Sequence, residues 1–289
     1  MKKKSLWIVT ILIGLLARPA TAHAAKYDAI VVFGDSYCDV GNIFLATGGT
    51  TPAPPYFDGR FSNGPIWIEH VAGYMGLPMQ PSLAGGTDFA FGGAMVTKPV
   101  VTPEGTIPDV PQQVGLYLSQ HANKADPNAL YVIEGGGNDI LGATGGSPDQ
   151  LAFQIASGIA ASELLLRKAG ARHFLIPNLF NVGLLPAGQA NATFDNAASQ
   201  ATNQWLNVLL GLEDLLEGVH IQRTNVFSLL NAVQTDPSHF GFVDVTDPCL
   251  NPITTICADP DHTLFWDVEH PTEFGHSFFA VTAETVLSQ

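Results

Sequence analysis

Four short stretches of this chain hold residue types that can do chemistry if the fold brings them together. The first is Phe33-Gly34-Asp35-Ser36, where a glycine permits a tight turn and a serine hydroxyl follows it. Such a hydroxyl is a weak nucleophile until a neighbouring base takes its proton. A base stands near the other end of the chain, in Trp266-Asp267-Val268-Glu269-His270-Pro271-Thr272. A carboxylate and an imidazole three residues apart can meet across a turn. The carboxylate then binds one ring N–H, fixes the tautomer and leaves the other nitrogen free as a base. The third stretch, Glu134-Gly135-Gly136-Gly137-Asn138-Asp139, ends in an amide N–H donor at Asn138. The fourth, residues 88–94, is a short apolar run whose Gly92-Gly93 turn can expose a backbone N–H to a ligand.

Each stretch also has a plainer reading. Ser36 is equally well placed as a helix N-cap. The three glycines could be an ordinary loop; a phosphate cradle lacks its GK[ST], and Ile140 stands where GxGxxG needs glycine. Pro271 suits a first helical turn and Glu273 complements the helix dipole, so His270 could simply open a helix. Asp261, His262 and His276 are near in sequence but make no HExxH pattern, and no metal is expected.

The elements that must position these residues follow from periodicity. Short apolar or β-branched runs recur at 29–33, 130–133, 173–176 and 219–227. Between them lie helical patterns. Leu151, Ile155, Ile159 and Leu166 share one face, as do Phe274, Phe278 and Val281, and residues 66–75 and 110–120 also read as helices. Alternating helices and fully apolar strands predict a three-layer α/β/α sandwich around a mostly parallel sheet. Sheets of this kind bind ligands beyond the carboxyl ends of their strands.

The chain has 289 residues, 46% hydrophobic and 13% charged, which excludes disorder. Residues 1–24 read as a secretory signal peptide: Lys2, Lys3 and Lys4, an apolar stretch at 6–16, then Ala22-His23-Ala24. Residues 25–289 are expected to form one domain, secreted or periplasmic, with no integral membrane segment. Without Lys2, Lys3, Lys4 and Arg18, 8 basic residues face 26 acidic ones, a net charge of −18. That surface repels phosphate backbones, so nucleic acid is not an expected partner. Cys249 and Cys257 lie eight apart in a Pro- and Asp-rich segment with no helical or strand period. An oxidising compartment favours a disulfide between them and leaves Cys38 free.

The ordered set GDS, FxxGGA, GGND and DxxHPT, spread over most of the chain, resembles the GDSL or SGNH hydrolase family in its lipase-like branch. Asn42 in DVGN, the GRFSNGPIWIEHVA stretch and PNLFNVGLLP are similar too. The resemblance implies a flavodoxin-like fold with Ser36 as nucleophile, His270 as general base and Asp267 as its orienting carboxylate. It implies an oxyanion hole of the Ser36 N–H, a Gly92-Gly93 N–H, with Gly93 favoured, and the Asn138 side chain. Tyr37 and Cys38 depart from the family's leucine after GDS, and Tyr37 is expected at the pocket rim. Tyr56, Phe57, Phe61, Phe89, Phe91, Leu179, Phe180, Leu184 and Leu185 are candidates for an acyl pocket. The implied partner is a small-molecule or lipid ester acted on by a monomer without cofactor. Polysaccharide O-deacetylation is the rival reaction, and a non-catalytic binding protein the rival class.

Overall fold

The computed structural model describes residues 26–213, 218–250 and 255–289. The chain runs β1 (Ile30–Phe33), α1 (Asn42–Ala46), α2 (Trp67–Met75), β2 (Val100–Thr102), β3 (Gly105–Ile107), α3 (Val110–Gln120), β4 (Leu130–Ile133) and α4 (Gly137–Leu141). It continues through α5 (Pro148–Ala169), β5 (His173–Leu175), α6 (Ala192–Glu213), β6 (His220–Gln222), α7 (Val226–Thr235), β7 (Asp244–Pro248), β8 (Thr263–Phe265) and α8 (Glu273–Leu287). The expected signal peptide lies outside the described residues. No described helix is long and apolar enough to cross a membrane.

The four strands β1, β4, β5 and β6 pair in parallel in the order β1-β4-β5-β6. Every residue of β1 and β4 is buried, which is why both strands are apolar on both faces. The segment at 87–89 lies along the outer edge of β1, with Val32 N–H donating to Thr87 O and Phe89 N–H to Val32 O. Counting that edge, the order is that of a flavodoxin-like sheet, and its switch point falls between β1 and β4. Helices cover both faces. On one, α5 packs against α3 and α6; on the other, α8 packs against α2 and α7.

Local capping explains several helix starts. Asp109, Ser147 and Asn225 each accept a backbone N–H in the first turn of α3, α5 and α7. Ile155, Ile159 and Leu166 are fully buried on α5, as their spacing predicted. Three expectations need correction. The 219–227 run is not one strand: β6 stops at Gln222, and the Asn225 cap turns Val226 and Phe227 into the start of α7. Val281 is 57% exposed, because α8 buries the face carrying His276, Phe279, Ala280 and Ala283 instead. The segment before Cys249 is a strand after all, because β7 pairs with β8, a partner its own pattern does not announce.

Cys249 and Cys257 are bonded, eight residues apart, and Cys38 is free and buried. Chain entropy predicts that replacing both bonded cysteines by serine lowers the unfolding free energy by about 2–3 kcal/mol. Urea denaturation with and without reductant measures this, and a smaller effect of reductant on the double variant than on the parent is expected.

Candidate active site

Ser36 begins a single helical turn just past β1, and the turn is over-determined. Cys38 and Asp39 N–H donate to Asp35 O at 3.0 Å each, and Tyr37 N–H donates to Asp35 Oδ1 at 3.0 Å. The expected helix does not start there; α1 begins at Asn42, capped by the Asp39 carboxylate. Behind the turn, the buried Gln113 amide grips Gly34 from both sides, accepting from its N–H and donating to its O at 2.9 Å each. Ser36 is buried, and among the described residues its Oγ has one partner: His270 Nε2 at 2.8 Å.

His270 comes from the loop between β8 and α8. Its Nδ1 meets Asp267 Oδ2 at 2.7 Å, while Asp267 Oδ1 accepts the Glu269 and His270 backbone N–H groups at 2.7 Å each. Burial alone would push the Asp267 carboxyl up, but His270, the Tyr56 hydroxyl and the Glu269 N–H together bring it down to about 2. Burial likewise disfavours the His270 cation, yet the Asp267 charge and hydrogen bond outweigh it and hold the imidazole above its ordinary value. His270 is thus an anchored imidazole with one nitrogen on the serine hydroxyl.

Two further elements close the site. Gly92 N–H is already committed to Asp39 Oδ2 at 2.8 Å. Gly93 N–H has no acceptor among the described residues, and Gly93 sits at φ 78°, a conformation that favours glycine. Asn138, in the first turn of α4, donates from Nδ2 to Ala94 O at 3.0 Å and to Asp35 Oδ2 at 3.2 Å. Its neighbour Asp139 faces the other way and accepts from Val96 N, Thr97 N and Thr97 Oγ1. A cavity of about 410 Å³ opens over Ser36, lined among others by Ile43, Phe61, Phe91, Ile107, Asn138 and His270. The arrangement sets a hydroxyl, an imidazole, its carboxylate anchor and N–H groups beside a largely apolar cavity. A larger, more polar cleft of about 800 Å³ lies on the far side of α4, lined by Lys98, Asp139 and Gln150, away from the Ser36–His270 pair.

A model of GDSL-like lipases and acylhydrolases matches residues 30–281. The chain belongs to that family. Membership puts it among the carboxylic ester hydrolases. It is similar to the thermolabile hemolysin of Vibrio parahaemolyticus, 27% identical across 90% of this chain and 64% of that protein. It is also similar to a phosphatidylcholine-sterol acyltransferase of Aeromonas hydrophila, 29% identical across 86% of this chain and 72% of that one. A solved GDSL-family lipolytic protein of Veillonella parvula shares the fold at 13% identity, with a TM-score of 0.51 over 90% of this chain and 98% of that one.

The family stretches have visible work in this GDSL chain. Ser62 Oγ donates to Pro271 O at 2.9 Å, and Asn63 Oδ1 accepts Glu273 N–H at 2.7 Å, tying the 60s segment to the His270 loop. Asn42 Nδ2 donates to Asp88 O and Ala90 O at 2.8 Å each, tying α1 to the Gly92-Gly93 segment. Ala187 N–H, just past the 177–186 stretch, donates to Val268 O at 2.8 Å.

Several site expectations change. Tyr37 does not line the cavity over Ser36 but borders the narrow crevice beside it: it is 6% exposed, stacks on Phe180, and donates from its hydroxyl to Glu269 O at 2.7 Å. Of the nine acyl-pocket candidates, Phe61 and Phe91 line the cavity over Ser36. Phe180 and Leu185 border a narrow crevice beside it, Phe89 packs in the core on Phe33 and Tyr117, and Phe57 is exposed. His276 is buried within α8 and held down to about 3 by desolvation and by the nearby His270. His262 pairs with Asp259 at 2.8 Å, and no described group of three or more His, Cys, Asp or Glu could hold a metal. Sequence reasoning missed the Asp39 bridge, the Gln113 clamp and the Tyr56 hydroxyl on Asp267. Asp39 lies two residues before Gly41, the N-cap of α1, and like the other two it meets a partner far away in the chain, Gly92.

Proposed function

We propose that the chain is a secreted serine esterase or lipase that hydrolyses acyl esters through an acyl-enzyme on Ser36. One observation carries the reading: His270 contacts Ser36 Oγ at 2.8 Å and Asp267 Oδ2 at 2.7 Å at once. In this reading His270 takes the Ser36 proton as Oγ attacks the ester carbonyl. The Ser36 and Gly93 N–H groups and the Asn138 amide face the resulting oxyanion. His270 then returns its proton to the leaving alcohol, which departs as the Ser36 ester forms. Water, deprotonated by the same imidazole, releases the acid and restores the hydroxyl. An alcohol in place of water would make the product an ester.

Lipid acyl groups are the favoured substrate class. The Ile43, Phe61, Phe91 and Ile107 side chains give the cavity an apolar wall, and two relatives are a hemolysin and a phosphatidylcholine-sterol acyltransferase. The disulfide agrees with passage through an oxidising compartment. Rates on p-nitrophenyl esters of increasing acyl length, acetylated xylan and lysophosphatidylcholine test the assignment. Esters of medium-length acyl groups should exceed acetate in kcat/KM about tenfold, the difference of one or two buried methylenes. A preference for acetate and acetylated xylan would instead favour polysaccharide deacetylation.

A further inference from the structure

We propose that Tyr56 is a positioning residue for the acid–base pair, its hydroxyl holding the Asp267 carboxylate against His270. The inference rests on the reading of His270 as the base for Ser36. Tyr56 lies 211 residues before Asp267, in the loop between α1 and α2, yet its O–H donates to Asp267 Oδ2 at 2.6 Å. That is the same oxygen that meets His270 Nδ1 at 2.7 Å. Charge-assisted contacts of this length are the strong ones. The four groups form one chain of contacts from Tyr56 through Asp267 and His270 to Ser36.

The ring is seated independently of its hydroxyl. It packs edge-on to Trp266, 6.2 Å between centroids, and edge-on to Phe61 at 6.3 Å. Trp266 is 2% exposed and belongs to the same apolar cluster as Cys249, Leu250 and Cys257. Leu250 N–H donates to Trp266 O at 2.7 Å, so the disulfide-closed loop braces the residue next to Asp267. Phe61 in turn lies 5.1 Å from the His270 ring. The hydroxyl is thus delivered to the carboxylate by packing that does not depend on the bond itself. A surface tyrosine that met Asp267 by chance would lack that seat.

The sign of its effect follows from the charges around the imidazole. The titratable groups facing His270 are Asp267 and Glu269 on its own loop, Asp35 and Tyr37 on the nucleophile turn, and His276 on α8. Among them, Asp267 touches the ring and also accepts the Tyr56 proton. The Tyr56 O–H draws negative charge away from the oxygen shared with Nδ1. Without it the imidazolium is stabilised further, and the base is protonated at a higher pH. The carboxylate also loses one of its anchors.

Tyr56→Phe keeps the ring and removes the hydroxyl. The expected result is an approximately tenfold lower plateau kcat, with KM on a p-nitrophenyl ester within about twofold, since the loss falls on the transition state. The acidic midpoint of kcat/KM should rise by about 0.5–1 unit. Tyr37→Phe is the comparison, because it removes a hydrogen bond that runs from the nucleophile turn to a neutral carbonyl of the His270 loop. It should lower Tm and leave the acidic midpoint in place. Fluorophosphonate labelling of the parent separates the two ideas. Label on a residue other than Ser36 would overturn the reading of the base. Label on Ser36, with Tyr56→Phe matching the parent in midpoint and within twofold in kcat, would overturn the role of Tyr56 alone.

Discussion

Replacing Ser36 with alanine is expected to abolish measurable ester hydrolysis while the protein folds as before. The stability side follows from the geometry. Ser36 Oγ makes one hydrogen bond, to His270 Nε2, whereas the turn around it is held by backbone and Asp35 contacts the substitution leaves intact. Losing one such bond changes stability by about 1 kcal/mol. The rate side is far larger. Enzymes of this kind accelerate by 10⁶-fold or more, and removing a member of such a triad leaves about 10³–10⁴ over water. The parent should react with a fluorophosphonate at Ser36 and the variant should not. A Tm within about 2–4 °C of the parent's, with a rate drop of at least about 10²–10³-fold, is the expected pair of readings. A variant that still turned over at a tenth of the parental rate, or label found on a different serine, would remove Ser36 from the mechanism.

Asn138→Ala should lower kcat about 10²–10³-fold with little change in KM, because an oxyanion donor matters most in the transition state. The structure adds a second effect. Nδ2 contacts Ala94 O at 3.0 Å and Asp35 Oδ2 at 3.2 Å, so the amide ties the Gly93 segment, the nucleophile turn and α4 together, and facing the oxyanion requires exchanging the longer Asp35 contact for it. The variant should therefore also lose about 1–2 kcal/mol of stability. Asn138→Asp separates the two. It keeps the size but sets a carboxylate against Asp35, whose own carboxyl is pushed up to about 6, first by burial. The new charge would face both Asp35 and the oxyanion, and kcat should fall at least as far as for alanine. Single-turnover rates on a p-nitrophenyl ester, with thermal melts alongside, give both readings. A parental kcat in either variant would mean that the oxyanion is held without Asn138.

Much of this was legible before the structure. Strands buried on both faces need apolar residues at every position, so β1 and β4 could be located almost to the residue. The chemical groups follow their carboxyl ends, where a parallel sheet leaves room. What was hidden depends on partners distant in sequence. β7 becomes a strand only because β8 lies beside it. Tyr37 looked like a rim residue because nothing local shows that Glu269 O and Phe180 enclose it. Tyr56 looked like one more apolar lining residue, since its polar tip acts on a carboxylate 211 residues away. The choice between Gly92 and Gly93 was open for the same reason: Asp39, from another segment, takes one N–H and leaves the other.

The two halves of the site lie 234 residues apart, and every direct stitch between them is equally long-range. Tyr37 reaches Glu269 across 232 residues, Tyr56 reaches Asp267 across 211, Ser62 reaches Pro271 across 209 and Asn63 reaches Glu273 across 210. Each of these contacts closes a loop whose chain entropy must be overcome before the contact can stabilise anything. The β1–β4 pairing needs a loop of less than half that length. A molecule whose His270 loop is undocked keeps the Ser36 turn's own contacts but lacks the imidazole beside its hydroxyl. Under the proposed mechanism such a molecule has no base, so hydrolytic competence is confined to chains in which both distant segments are docked.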